Sequence, residues 1–173
     1  MEAVIPSRDA VAVLRAISRA GFSYQRTKEL CQAARWKLVD DELDLGYVAF
    51  EMGTVPGQDS HRRLAVEVSE SGRLPRAFVP LFYFEEYDVH REPFDLTYRS
   101  LSEQLAGVLG PPSSSGEYTC PHREGWRYFY SWWSLTDATF VLVQDEFDIQ
   151  FGMDVTLWVL PANVSVAVPV SGE

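Results

Sequence analysis

The chain reads as an α+β fold: an antiparallel sheet of about six or seven strands, with an N-terminal helical hairpin and one middle helix packed on one face. Three observations predict it. The stretch Trp126 to Leu160 divides into the strand-like runs WRYFYSWW, ATFVLVQ and DIQFGMDVTLWVL, joined by the short turns SLTD and DEF. In the last run Ile149, Phe151, Met153, Val155, Leu157 and Val159 fall on one face, and Asp148, Gln150, Gly152, Asp154 and Thr156 on the other, the alternation of a strand with one packed and one wet face. The element order, helix, helix, about four strands, helix, three strands, is that of helices segregated to one face of an antiparallel sheet.

The elements follow in order. Ser7 suits the N-cap of a first helix running to about Ala20, with Ala10, Leu14 and Ile17 as its apolar stripe, Val13 beside it and Gly21 just past its end. Ser23 suits the cap of a second, shorter helix with Tyr24, Leu30, Cys31 and Ala34 on one face; the two make an αα-hairpin. Trp36 to Val39 reads as a short strand, followed by an acidic turn of Asp40, Asp41, Glu42 and Asp44. Gly46 to Met52 and Arg63 to Ser69 read as strands separated by a polar loop over 54–61. Ala77 to Phe84 is the next strand, in which Pro80 predicts an edge or a bulge. The segment Glu85 to Pro93 reads as a loop, and Asp95 suits the cap of a helix from Leu96 to Leu109 with Phe94, Tyr98, Leu101, Leu105 and Val108 on one stripe. Ser113 to Glu124 has the composition of a connector, and the tail from Pro161 adds an edge strand or wanders.

Length and the lack of any composition break predict a single domain over 1–173: hairpin 1–35, first strands 36–84, helix 95–109, final strands 126–160 and tail 161–173. The formal charge of −10 argues against a general nucleic-acid binder, which needs clustered Lys and Arg. Residues 1–39 carry seven basic and three acidic side chains, whereas residues 134–173 carry six acidic and no basic ones. Such a surface attracts basic partners over a distance set by ionic strength, and it also serves simply for solubility. The opening MEAVIPSRDA lacks the features of a signal peptide, and no run approaches a membrane span, so the expected location is cytoplasmic. Cys31 and Cys120 do not suggest a disulfide framework.

Catalytic and metal signatures are weak. His61, His90, Cys120 and His122 are the candidate zinc ligands, but neither C-x-x-C nor H-x-x-x-H spacing is present, and no metal or other cofactor is expected. The acids at 40–44 lack the spacing of a calcium loop. There is no G-x-S-x-G elbow and no glycine-rich phosphate loop. The aromatics carry more. Trp126, Tyr128, Tyr130 and Trp132 alternate along one strand face with Phe129 and Trp133 on the other, which fits either a core strand or a recognition face. The segment Phe82 to Asp88 mixes rings with carboxylates, as does a surface that grips a basic partner. The candidate contact residues are Tyr83, Glu85, Glu86, Tyr87 and Asp88, extended by Asp145, Glu146 and Asp148 at the last hairpin.

A helical opening with Gly21-Phe22-Ser23-Tyr24, a second helix ending Ala34-Arg35-Trp36, a middle helix ending Leu109-Gly110-Pro111-Pro112, and the aromatic and alternating strands after it resemble small actinobacterial-type domains of unknown function. They are also similar to immunity proteins of polymorphic bacterial toxin systems. The resemblance covers about residues 10–160 and carries no residue-level assignment; the tryptophan and Asn-Gly-Gly hallmarks of the SMI1/KNR4-type family are absent. It implies a small, acidic, non-catalytic inhibitor that occludes a cognate toxin. The expectation is therefore a protein-binding module for a basic partner. Two alternatives stand beside it: a secretion or assembly chaperone, and a small metal-dependent hydrolase.

Overall fold

The computed structural model describes residues 5–52, 62–84, 91–119, 125–148, 152–168 and 170, with the backbone alone at 147 and 148. Among them are helices α1 (Arg8–Arg19), α2 (Tyr24–Ala33) and α3 (Arg91–Leu109) and strands β1 (Lys37–Glu42), β2 (Tyr47–Met52), β3 (Arg62–Glu67), β4 (Arg76–Phe84), β5 (Ser114–Thr119), β6 (Arg127–Ser134), β7 (Thr139–Asp148) and β8 (Gly152–Leu160). The strands form one antiparallel sheet in the order β1-β2-β3-β4-β8-β7-β6-β5. The fold is thus α+β with N-terminal helices, and the strand count is eight rather than six or seven.

The helices start and stop where local chemistry allows. The Ser7 hydroxyl accepts the Ala10 N–H at 3.1 Å, and α1 ends with Gly21 N–H on the Ser18 carbonyl and Phe22 N–H on that of Ile17. This paired closure turns Phe22 into the core, where it is fully buried. Ser23 makes no side-chain cap; the Glu70 carboxylate, from the turn after β3, accepts the first N–H of α2 instead. A negative charge suits a helix N-terminus, so a residue distant in sequence replaces the local one. Helix α3 begins at Arg91, four residues before the expected cap. Asp95 lies inside it, accepting from Arg91 at 3.0 Å and from the Gln144 amide at 3.0 Å.

All three helices bury their stripes on one face of the sheet. Val11, Leu14 and Ile17 of α1, Cys31 of α2, and Phe94, Tyr98, Leu101 and Leu105 of α3 join Val48, Phe50, Leu64, Val66, Val79, Leu142, Val155 and Leu157 in one core. Arg15 and Arg19 of α1 hold Asp137, in the β6–β7 turn, at 2.9 and 3.6 Å. These basic side chains are committed to the fold rather than presented as a patch.

Three expectations change. The acids Asp40 to Glu42 lie in β1, not in a turn, and only Leu43–Leu45 forms a short 3-10 turn. The connector contains β5, whose Ser114–Thr119 pairs with Trp132–Arg127. The tail forms no strand among the described residues; it crosses the back of the sheet, where Val166, Val168 and Val170 pack on Val141, Val143, Trp158 and Leu160. The far face of β8 is therefore not wet, and Thr156, Trp158 and Leu160 are buried. Pro80 sits past the end of the short β3–β4 ladder, at a register shift against β8. A residue without an N–H is tolerated there because β3 no longer asks for one.

Candidate functional site

The register brings Tyr83, Asp145 and the backbone of Asp148 to one end of the sheet. Tyr83 on β4 faces Asp154 on β8, and Asp154 faces Asp145 on β7, so the three form a row on the back face. Tyr83 is 48% exposed. Glu85, Glu86, Tyr87 and Asp88 lie outside the described residues, and Asp148 is placed by its backbone, opposite Gly152. Asp145 and Glu146 are not on the surface as expected; they are 6% and 7% exposed. Acids near a hairpin read as solvated, but here the strand continues past them and buries both. The Glu146 carboxylate accepts the Tyr128 hydroxyl at 2.8 Å, and Asp145 accepts the Glu146 N–H at 2.8 Å.

Like charges directly opposite across an antiparallel pair repel. Asp154 shows the consequence. Burial, and then the neighbouring Asp145 carboxylate, push its carboxyl up to about 7, against a smaller opposing effect of a hydrogen bond with Thr156. Among the described residues one buried Asp154 oxygen has no hydrogen-bond partner. This end of the sheet therefore holds a proton near neutrality, and of the acids expected to steer a partner, Asp145 and Glu146 do not meet solvent.

The candidate zinc ligands His61, His90, Cys120 and His122 all lie outside the described residues. Among the described residues no cluster of three or more His, Cys, Asp or Glu is arranged to hold a metal. Cys31 is free and buried, and burial pushes its thiol up to about 12, far from the thiolate a nucleophile requires. The strand expected to be either core or recognition face is both. Tyr128 and Trp133 are buried in the helix-side core, whereas Tyr130 and Trp132 are half-buried on the back face.

The surface that the acids do reach is the opposite edge. Strand β1 is the last strand on its side of the sheet, and its Leu38 and Val39 are exposed together with Leu43 and Leu45 of the following turn, Leu45 at 73%. A register shift between Leu38 and Asp40 explains how two successive aliphatic side chains both miss the core. Asp40 pairs with Arg63 at 2.9 Å. Asp41 accepts from Lys28 at 2.9 Å and from the Tyr24 hydroxyl at 2.8 Å, and these contacts hold its carboxyl below the ordinary range; the Lys28 ammonium is raised by its hydrogen bond to Tyr24 and then by Asp41. Among the described residues Glu42 and Asp44 make no ion pair, and no strand lies beyond β1. The result is an edge strand flanked by four exposed aliphatic side chains and two carboxylates. In the sequence these leucines are obscured by the acids between them; the signal they leave is that KLVDDELDL fits neither a two-residue nor a 3.6-residue apolar period, so no face of it is set for burial.

In comparison with known proteins, no family model, no curated protein and no solved structure matches the chain. Among the described residues no helix is long and apolar enough to cross a membrane.

Proposed function

We propose that the chain is a non-catalytic protein-binding module that takes an extended segment of a basic partner along β1 and the turn after it. The observation that carries this reading is the exposure of Leu38 and Val39 on β1 and of Leu43 and Leu45 in the turn after it, with no strand pairing beyond β1 among the described residues. Natural sheets blunt their edges, and an open edge with contiguous aliphatic side chains is where another strand adds. Main-chain hydrogen bonds would supply affinity and the leucines the desolvated contact. Glu42 and Asp44, together with the net charge of −10, favour a partner of positive charge. The acids of β1 itself disfavour a second copy of this chain, since a two-fold β1–β1 ladder would set Asp40, Asp41 and Glu42 against their own kind. An inhibitor that occludes a toxin with a basic surface is the form of this activity that the sequence resemblance supports.

The test compares wild type with a Leu38→Ser/Leu43→Ser/Leu45→Ser variant as bait in lysate of the source organism, followed by calorimetry on the purified partner. One stoichiometric basic protein, bound at least about thirtyfold more weakly by the variant, is the expected result. Glu42→Gln/Asp44→Asn should slow association several-fold at low salt and little at high salt. A partner held equally by wild type and the leucine variant contradicts the β1 assignment. If the partner is a toxin that the chain neutralises in stoichiometric amount, the inhibitor form is the correct one.

A further inference from the structure

Behind β5 and β6 the sheet opens into a cleft of about 680 Å³, walled on its far side by the tail over 163–168. That volume lies within the roughly 300–1,000 Å³ of small-molecule sites. Tyr130 and Trp132 form its floor; two residues apart on one strand, they stand side by side on the same face. Both rings are held in place. The Trp132 indole N–H donates to the Ser134 hydroxyl at 3.0 Å, and the Ser134 N–H donates to the Ser113 hydroxyl at 3.0 Å. The Tyr130 phenol lies across Gly116, where an added Cβ would stand 2.7 Å from its hydroxyl and 2.9 Å from the carbon that bears it. Glycine at 116 is what lets that ring rest on β5.

The polar lining complements the rings. Ser114, Ser165 and Asn163 line the cleft, and among the described residues their side chains make no hydrogen bond. Glu117 adds a carboxylate, its side chain 44% exposed and 3.5 Å from Arg127. No Lys, Arg or His lines the cleft among the described residues, so an anionic ligand finds no counter-charge. Its floor, Tyr130 and Trp132 on β6, lies on the face of the sheet one strand in from the β5 edge, so a peptide strand seated on those rings would gain no ladder. What remains is a ring with apolar C–H faces and hydroxyl groups around its rim. From this arrangement we infer that the cleft binds a neutral saccharide unit, stacked on Tyr130 and Trp132 and hydrogen-bonded by Ser114, Asn163 and Glu117. This site is separate from the β1 edge and does not depend on the partner-binding reading.

The experiment titrates the full chain with cellobiose, maltose and N,N′-diacetylchitobiose, by calorimetry and by saturation-transfer NMR. At least one should bind saturably, in the millimolar range or tighter. Trp132→Ala should weaken that binding at least tenfold, with circular dichroism reporting the fold. Ser114→Ala/Asn163→Ala, confined to exposed positions, should weaken it about three- to tenfold and keeps the test valid if the Trp132 variant misfolds. Leu45→Ser should leave it unchanged. Absence of saturable binding by all three sugars, or binding undiminished in the Ser114/Asn163 variant, overturns the assignment. Preference for glucose 6-phosphate over the neutral sugars likewise overturns it.

Discussion

The two halves of the sheet solve burial differently. Strands β7 and β8 are covered twice, by the helix-side core in front and by the tail behind, so Val141, Leu142 and Val143 of β7 are all buried although they point alternately to opposite faces. Strands β1 to β4 are apolar mainly in front. Behind, they carry Arg63 and Glu67 and the small pair Ala49 and Ala65, and at their outer edge β1 is exposed on both faces. The half with two covers supplies the stability of the fold, and the half with one cover ends in the surface available to a partner. A continuous apolar run marks a strand buried on both faces, whereas strict alternation marks a strand with a solvent side.

The largest expected effect breaks the doubly covered half. Leu142→Ala should cost about 2–5 kcal/mol in urea unfolding, since its site is fully enclosed. The seam between the halves comes next. Gly152 has φ +103°, and a Cβ there would stand 2.0 Å from the Phe84 carbonyl oxygen of β4. Gly152→Ala should therefore cost at least about 1–3 kcal/mol and loosen the β4–β8 pairing.

Asp154 gives an effect of the opposite sign. Its folded carboxyl titrates at about 7, above its ordinary value of 3.8, so between those values the native state holds a proton that the unfolded state has released. Its contribution to stability accordingly falls as pH rises through that window and levels off above 7. Asp154→Asn should stabilise the chain by about 1–2 kcal/mol at pH 8 and flatten the stability profile between pH 4 and 7. Smallest is the edge. Leu38→Ser and Leu45→Ser should each change unfolding free energy by no more than about 0.5 kcal/mol, because neither side chain is buried.

The front of the fold was legible because period and packing coincide there. Met153, Val155, Leu157 and Val159 of β8, and Phe94, Tyr98, Leu101 and Leu105 of α3, are the residues that alternation and helical spacing single out. The back was not. Trp158 and Leu160 extend the supposedly wet face of β8, and only the tail, which has no period of its own, explains why they are covered. The segment SSGEYT has the composition of a linker and becomes a strand because Trp132 to Arg127 offers it a ladder. Of the candidate site, the row of Tyr83, Asp154 and Asp145 depends on β4 and β7 flanking β8, a long-range pairing that local sequence does not encode. The β1 leucines left only an absence of pattern as their signal.

The central claim is that partners bind at the singly covered edge. Amide hydrogen exchange of the chain, free and in complex with its purified partner, tests it directly. Protection on binding across residues 38–45, with exchange over 114–119 unchanged, is the predicted result. Unaltered exchange over 38–45 in a saturated complex, or protection confined to β5 and the tail, would contradict it.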